Sequence, residues 1–326
     1  MFAVASLVWI GLLGAFSGKR PARPLPPSAP PGPPMIARKS TGAAIPLRLS
    51  PDGHLLVPVF ISGTAYPFML DTAGGGLSIT PATRDALGYT ARDGITVRGY
   101  GASGMLPIKR MKFSSVFVLG KYPLGGLVTV IDLQGLTPEP HPPIAGIIGN
   151  GVLQNFDLEL NLPAATLRLF PRGGKARPTG AIPMTSMPFK TRVGGKIFLP
   201  VQVNGQPITA LLDTGALNSV LNRAALNLIG AKPGRDRGPV KLHTFSGFDR
   251  HVVPVTPYVF RQVQLGRLRP FSAVVYGADL PVFSDLGLRD RPAMLLGLDM
   301  LRDRILFISY SAGQIYLSEP RARKRG

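Results

Sequence analysis

Two short stretches of the sequence place an aspartate directly after an apolar run and follow it with a threonine and residues that have almost no side chain. The first contains Asp71 and Thr72, and the second contains Asp213 and Thr214. Two carboxylates held about 3 Å apart cannot both ionise, so they share a proton. One of them can then act as a base on water while the other acts as an acid. Such a pair can hydrolyse an amide bond without a metal ion or a covalent nucleophile.

Both stretches are parts of a longer internal repeat. Because 213 minus 71 is 142, the chain can be aligned with itself at an offset of 142 residues, and the alignment continues without a gap. Self-similarity over such a length predicts two copies of one supersecondary unit, each with one aspartate. The identities are Pro46 with Pro188, Gly53 with Gly195, Pro58 with Pro200, Val59 with Val201, Gly63 with Gly205, Leu70 with Leu212, Ala82 with Ala224 and Gly88 with Gly230.

In each half an apolar-apolar-Gly segment follows the aspartate, after 78 residues in the first (149 minus 71) and 84 in the second (297 minus 213). These segments, Ile147-Ile148-Gly149 and Leu295-Leu296-Gly297, accompany Asp213-Thr214-Gly215-Ala216 and the variant Asp71-Thr72-Ala73-Gly74. Together they resemble the retropepsin-like aspartic proteases over most of residues 41–320. The resemblance implies an all-β, bilobal fold with two tandem β-barrel lobes, each with a short helix. It also implies an aspartic-type endopeptidase with Asp71 and Asp213 as catalytic residues, and no cofactor or metal.

The resemblance further implies roles for the residues around each aspartate. Thr72 and Thr214 would hydrogen-bond across the lobe interface, and the small residues would let backbone N–H groups reach the carboxylates. The expected dyad-supporting residues are Thr72, Ala73, Gly74, Thr214, Gly215 and Ala216. The expected supporting strands contain Ile148, Gly149, Leu296 and Gly297. A flap over the substrate would use Gly99, Tyr100, Gly101, Phe245, Ser246 and Gly247, with Tyr100 and Phe245 at the hairpin tips.

Ala73 departs from the family pattern, which usually has glycine at this position. The added methyl group costs about 1–2 kcal/mol if the backbone there is left-handed, and little otherwise. An alternative to the enzyme is therefore a catalytically inactive peptide-binding or scaffold protein of the cell envelope. In a third arrangement each lobe pairs with a lobe of another chain. A lone aspartate at a strand end can also simply cap a turn.

Local patterns predict the elements that hold these residues. Apolar strands bounded by Gly and Pro precede each motif. Thr80 and Asn222 are predicted helix N-caps, with helices that end near Gly88 and Gly230. The predicted organisation is a signal peptide or membrane anchor at 1–18, a Pro-rich linker at 19–40, an N-terminal lobe at 41–178, a C-terminal lobe at 179–320 and a basic tail at 321–326.

The composition and charge of the chain indicate where the protein is located and what it binds. The leader predicts an exported, periplasmic or membrane-anchored protein. The formal net charge of +20 and the pI near 10.9 predict attraction to an anionic membrane surface, whereas the dispersed basic residues do not predict specific nucleic-acid binding. The expected partner is a peptide or protein substrate, and the expected state is a monomer with an internal pseudo-twofold axis.

Other chemistries have little support in the sequence. There is no cysteine, so thiol catalysis and thiolate metal sites are excluded. The four histidines show no metal-ligand spacing and are expected at the surface or in hairpins. Three further aspartates lack the threonine and small-residue context and are expected to be surface or turn residues. These histidines and aspartates are His54, His141, His243 and His251, and Asp157, Asp299 and Asp303.

Overall fold

The computed structural model describes residues 5–7, 42–101, 104–133, 143–173, 176, 178, 182–232, 243–247 and 252–320. The described chain consists mainly of strands, which confirms the all-β prediction. The strands up to residue 171 are β1 (Ala5–Leu7), β2 (Ala44–Pro46), β3 (Arg48–Leu49), β4 (Leu55–Ile61), β5 (Thr64–Asp71), β6 (Leu77–Ile79), β7 (Ile95–Gly101), β8 (Gly104–Lys112), β9 (Phe117–Leu119), β10 (Tyr122–Leu124), β11 (Leu127–Val130), β12 (Gly146–Gly149), β13 (Phe156–Asn161) and β14 (Thr166–Pro171).

The second half repeats this succession of strands, and the helices of the described chain are few and short. The strands are β15 (Met184–Pro188), β16 (Lys190–Arg192), β17 (Lys196–Val203), β18 (Gln206–Leu212), β19 (Val220–Leu221), β20 (His243–Gly247), β21 (Val252–Leu265), β22 (Phe271–Gly277), β23 (Ala293–Leu296), β24 (Ile305–Ser309) and β25 (Gln314–Ser318). The α-helices are α1 (Pro81–Ala86), α2 (Asn150–Leu153), α3 (Arg223–Ile229) and α4 (Pro281–Asp285), and 3-10 turns lie at Ala91–Asp93, Val193–Gly195 and Leu298–Met300.

Two large sheets have the same strand order, one in each half. The first runs β4-β5-β12-β6-β11-β8-β7, and the second runs β17-β18-β23-β19-β22-β21-β20. In the second sheet β21 pairs with β22 and also with β17, so six strands close into a barrel. The matching order confirms the prediction of two tandem lobes, because each of these seven strands of one sheet has a counterpart in the other.

A third sheet joins the halves. Its order is β15-β25-β24-β13-β14-β2, with three strands from each half, and the central pair is β13 with β24. In that pair Leu158 lies opposite Ile308 and Leu160 opposite Leu306, and all four side chains are buried. Burial of apolar side chains on both strands fixes the register between the halves. The lobes are therefore joined by continuous hydrogen-bonded sheet.

The predicted helix N-caps and the glycine that ends the helix at position 230 are present in the structure. The Thr80 hydroxyl accepts a hydrogen bond from the Thr83 N–H, and the Asn222 side chain accepts one from the Ala225 N–H. The second helix ends at Gly230, whose φ of 64° is left-handed and favours glycine. These two helices, α1 and α3, follow the corresponding strands β6 and β19 in the two lobes.

The predicted leader, linker and tail lie almost wholly outside the described residues, and the domain boundaries stay predictions. The exception is β1, which pairs in parallel with β20, so that Ala5 lies opposite Phe245 and Leu7 opposite Gly247. None of the helices in the described ranges has the length and apolar character needed to cross a membrane.

Candidate active site

Asp71 and Asp213 occupy equivalent positions at the ends of two buried strands. Asp71 is the last residue of β5, where it lies opposite Gly149 of β12 in a parallel ladder. Asp213 follows β18 directly, and its N–H donates to the Leu296 carbonyl of β23 at 3.0 Å. Each aspartate therefore leaves a rigid strand at the point where the chain begins to turn.

The turn after each aspartate aims backbone N–H groups at the carboxylate. Asp71 Oδ1 accepts from the Ala73 N–H at 2.9 Å and from the Gly74 N–H at 2.7 Å. Asp213 Oδ1 accepts from the Gly215 N–H at 2.9 Å and from the Ala216 N–H at 3.1 Å. Hydrogen bonds from N–H groups to a carboxylate favour its ionised form and fix its orientation.

Four hydrogen bonds made by Thr72 and Thr214 tie the two loops together. The Thr72 N–H donates to Thr214 Oγ1 at 3.0 Å, and the Thr214 N–H donates to Thr72 Oγ1 at 3.0 Å. Each hydroxyl in turn donates to a carbonyl of the other lobe, Thr72 to Leu212 at 3.0 Å and Thr214 to Leu70 at 2.9 Å. The network is symmetric and fully buried, so it fixes the position of one loop against the other.

This network brings the two carboxyl groups together. The two carboxyl groups influence each other's ionisation, and a Cβ atom built on Gly215 would lie only 2.7 Å from Asp71 Cγ, so Asp71 lies directly against the motif loop of the other lobe. The second oxygen of each carboxyl, Oδ2, receives no N–H or O–H hydrogen bond from the residues that the structure describes. In each aspartate Oδ2 is therefore the oxygen that is available for proton transfer.

Burial keeps this pair partly protonated. Asp71 is 0% exposed and Asp213 is 1% exposed. Burial raises the pKa of Asp71 to about 6, although the Gly74 and Ala73 N–H groups and the Lys196 ammonium lower it in part. Burial, followed by the charge of Asp71, raises the pKa of Asp213 well above its usual value. Because burial raises both pKa values, the carboxyl groups hold a proton at a pH above the usual range for aspartate.

Each lobe separately matches a protein-family model. Residues 57–152 match a family model described as aspartyl protease, and residues 199–303 match one described as gag-polyprotein putative aspartyl protease. Both lobes are aspartyl protease domains. The chain thus carries two retropepsin-like domains in tandem, which confirms the resemblance seen in the sequence. Family membership indicates a peptidase, and comparison with individual curated proteins finds no match.

The supporting strands of the two aspartyl protease domains pass directly behind the motif loops. Ile148 lies opposite Leu70, and Leu296 lies opposite Leu212. A Cβ atom on Gly149 would lie 2.8 Å from the Gly76 carbonyl oxygen, and one on Gly297 would lie 2.7 Å from the Asn218 backbone. Both glycines are thus required by the close approach of the loop in front of them.

Ala73 causes no backbone strain in the structure. It is buried, and its φ is not positive, so the cost expected for a left-handed alanine does not arise. Its counterpart Gly215 is not left-handed either. Gly215 is required because a methyl group there would overlap the Asp71 carboxylate, whereas the fold accommodates the Ala73 methyl.

The predicted flap residues lie on two hairpins at the edges of the sheets. Tyr100 pairs with Met105 and Gly101 with Gly104 across β7 and β8, and the turn between them lies outside the described residues. In the other lobe β20 and β21 pair as far as Ser246 and Val252. Gly99 and Gly247 complete the set, on β7 and β20.

Phe245 does not sit at a hairpin tip, contrary to expectation. It lies inside β20, is 3% exposed, and packs edge to face against Tyr276 with the ring centroids 4.8 Å apart. The strand continues beyond the aromatic residue, so the ring contributes to the core of the second lobe.

Several polar residues are more deeply buried than the sequence analysis predicted. Asp157 is buried and accepts from the Ser311 N–H, and Asp299 accepts from the N–H and hydroxyl of Ser219. Both stabilise the fold by satisfying backbone donors. His54, expected at the surface or in a hairpin, lies in the turn between the paired strands β3 and β4 and is 0% exposed.

Lys196 is also 0% exposed, and nothing in the motif analysis singled it out. One signal was present, because 196 minus 142 is 54, so the repeat aligns Lys196 with His54 directly after the Gly195 and Gly53 pair. A basic residue at the same position of both copies, just before an apolar strand, is an unusual choice for a lobe core.

Proposed function

We propose that the chain is an aspartic-type endopeptidase that uses Asp71 and Asp213 together in a cleft between the lobes. The observation that supports this most directly is the reciprocal threonine network, which holds one carboxyl group of each lobe against the other. The orientation of the carboxyl groups adds to it, since in each aspartate Oδ1 is held by two N–H groups and Oδ2 is left for chemistry.

In the proposed reaction the singly protonated pair activates a water molecule. The ionised carboxylate removes a proton from the water as its oxygen attacks the peptide carbonyl carbon. The protonated carboxyl gives its proton to the carbonyl oxygen, so a neutral tetrahedral intermediate forms. On collapse of the intermediate, the C–N bond breaks, the newly protonated carboxyl gives its proton to the leaving amine, and the other carboxylate takes a proton from a hydroxyl group of the intermediate, so the pair again holds one proton.

The proposed substrate is an extended peptide that lies between the two hairpins. An extended peptide can add a strand to an open sheet edge, where main-chain hydrogen bonds supply affinity. The pairing of β1 with β20 supports this, because it places an extended segment along the flap edge of the second lobe. Since both carboxyl groups are buried, the chain around them must move before a peptide reaches them.

Single substitutions of either aspartate test the proposal. Asp71→Asn and Asp213→Asn should each lower kcat/KM for a cleaved peptide by about 10³-fold or more, because the pair then lacks its acid or its base. Cleavage would be measured with a peptide library between pH 4 and 8. Ser311→Ala, which leaves the motif loops intact, is a matched control. Activity that survives in either aspartate variant would reject the two-carboxylate mechanism.

The inactive scaffold makes a different prediction for inhibitor binding. A hydroxyl-bearing transition-state analogue should bind the enzyme more tightly as the pH falls and the carboxyl pair takes up its proton. A scaffold without the protonated pair would bind the analogue with no such dependence, or would not bind it. Calorimetry of the wild-type protein at pH 5 and pH 8 separates the two.

We further propose that the protein is an exported or membrane-anchored monomer whose positive charge favours an anionic membrane surface. The apolar leader, the Pro-rich segment after it and the net charge of +20 support this. Cell fractionation of the full chain tests the location, and sedimentation of residues 41–326 tests the monomeric state against pairing between chains.

A further inference from the structure

Lys196 stands at the first position of β17 and is completely buried beside the carboxyl pair. In the antiparallel pairing of β17 with β18, Phe198 lies opposite Leu211, so continuation of this register by two residues brings Lys196 level with Asp213. The Asp71 and Asp213 carboxylates raise the pKa of the Lys196 ammonium group. The pseudo-twofold axis relates it to His54, which is equally buried and lies close to the Gly215 backbone in the opposite motif loop. The two lobes therefore place different basic side chains at equivalent positions around the carboxyl pair.

The position of Lys196 is set by the first lobe. The turn before it contains Gly194 and Gly195, with φ values of 70° and 74°. The Asn150 side chain of α2 donates to the Gly194 carbonyl at 3.0 Å, and the Tyr310 hydroxyl donates to Asn150 Oδ1. A Cβ atom on Gly195 would lie 2.5 Å from Asn150 Nδ2, so the turn and the helix are in close contact. The backbone that carries Lys196 is thus held across the lobe interface.

The charge of Lys196 is retained at neutral pH. Burial lowers the pKa of Lys196 to about 8, and the two carboxylates oppose this change. Two further buried groups, His54 and Tyr310, are uncharged near pH 7, because burial lowers the pKa of His54 to about 4 and raises the pKa of Tyr310 far above its usual value. Lys196 is the cation whose charge lowers the pKa of Asp71.

We propose that Lys196 is a positioning residue that holds the Asp71–Asp213 pair in its singly ionised form. This role rests on the proposed function, which requires one ionised and one protonated carboxyl group. Desolvation alone favours a doubly protonated, inactive pair. A buried cation opposes desolvation because it attracts the single negative charge. His54 is uncharged, so of the two equivalent positions only the one in the second lobe carries a positive charge.

The test compares two substitutions at equivalent positions, Lys196→Met and His54→Met. Loss of the cation should raise the first pKa of the carboxyl pair, so the acid limb of the kcat/KM profile should move upward by about one pH unit or more in Lys196→Met. The limb should stay in place in His54→Met, which removes a neutral group of similar size. The variant Lys196→Met/His54→Lys should return the limb toward its wild-type position, because it restores a cation on the other side.

A second readout does not depend on cleavage. The protein would be labelled with ¹³C at the aspartate carboxyl carbons, and Asp71 and Asp213 would be assigned from spectra of their Asn variants. The carboxyl titration should shift upward in Lys196→Met in the same way as the acid limb. Circular dichroism checks folding, and Lys196→Gln, which is polar and uncharged, replaces the Met variant if that variant does not fold.

The outcomes separate the two proposals. If the wild-type protein cleaves peptides but neither the limb nor the carboxyl titration moves in Lys196→Met, the role of Lys196 is wrong and the protease stands. If the carboxyl titration moves but no form of the protein cleaves peptides, the electrostatic role stands and the proposed function is wrong. An equal shift in His54→Met would also overturn the role of Lys196.

Discussion

At the scale of single residues, the space around the Asp71 carboxylate decides which small residue each loop can carry. Gly215 has no room for a methyl group, since its Cβ would lie 2.7 Å from Asp71 Cγ. Ala73 occupies the matching position of the other loop without a strained backbone. The structure therefore accommodates alanine at position 73, where the family pattern has glycine, although it requires glycine at position 215.

Single substitutions at these two positions should affect catalytic activity differently. Gly215→Ala should displace the Asp71 carboxylate and lower kcat/KM by about 10²-fold or more, the cost of a misplacement near 1 Å. Ala73→Gly relieves no backbone strain and should keep most of the activity, with a loss of stability of about 0.5–1 kcal/mol. Steady-state kinetics and urea unfolding measure both effects. A large gain of activity in Ala73→Gly would mean instead that the methyl group restrains the enzyme.

The two aspartates could be predicted from sequence because the repeat marks both of them and their neighbours. Lys196 and His54 could not, although the same offset aligns them. A single basic residue before an apolar strand fits a solvated strand end equally well. Its burial depends on contacts with the other lobe, such as the approach of Asn150 to the Gly194 turn.

At the scale of elements, the strand ends are positioned by hydrogen bonds that cross from one lobe to the other. Thr72→Val removes the bond to the Leu212 carbonyl and leaves the Thr214 N–H without its acceptor. Each buried group without a partner costs about 1–3 kcal/mol. The motif loops therefore depend on each other for their geometry.

A double-mutant cycle measures this dependence. Thr72→Val and Thr214→Val should each lower the free energy of unfolding by roughly 2–4 kcal/mol, and the double variant should lose less than their sum because the loops share one network. Urea unfolding gives the energies. Thr83→Val, which removes a buried hydrogen bond to the Ala145 carbonyl away from the motif loops, is the control and should lose stability but not activity. Strict additivity would show that the loops are held independently.

Local signals predicted most of the elements. The caps at Thr80 and Asn222 and the strands that end at each motif depend on neighbouring residues, and they were confirmed. The position of Phe245 was predicted less well, since β20 continues past the small residues that suggested a turn. The register of β13 against β24 was not predictable, because it pairs residues about 150 positions apart.

At the scale of the whole molecule, the buried basic residues make stability depend on pH. The unfolded chain binds a proton on histidine below a pKa of about 6.5, whereas burial lowers the pKa of His54 in the folded protein to about 4. Between these values the unfolded state binds more protons, so stability falls as the pH falls from about 6.5 toward 4.

Replacing His54 should remove this part of the acid sensitivity. The stability of His54→Met relative to wild type should rise by about 3 kcal/mol between pH 7 and pH 4, since each pKa unit corresponds to about 1.4 kcal/mol. Other groups titrate equally in both proteins and cancel in the difference. Urea unfolding at pH 7, 5.5 and 4 measures it. Parallel stability curves for the two proteins would contradict the burial of an uncharged His54.

The shared sheet makes both lobes parts of one structure. Because β13 and β24 pair at its centre, each lobe supplies half of the sheet and one member of the carboxyl pair. A two-lobed chain can carry a different side chain at each pair of equivalent positions, as His54 and Lys196 do. A symmetric dimer of one-lobe chains has no such freedom, since one sequence serves both halves.

The most direct test is a crystal structure of the protein with a bound peptide analogue that carries a hydroxyl group in place of the attacked carbonyl. We expect that hydroxyl to lie within hydrogen-bonding distance of Oδ2 of both Asp71 and Asp213 in the same molecule. An analogue bound to only one of these carboxyl groups, or seated away from both, would contradict the assignment of a joint catalytic pair.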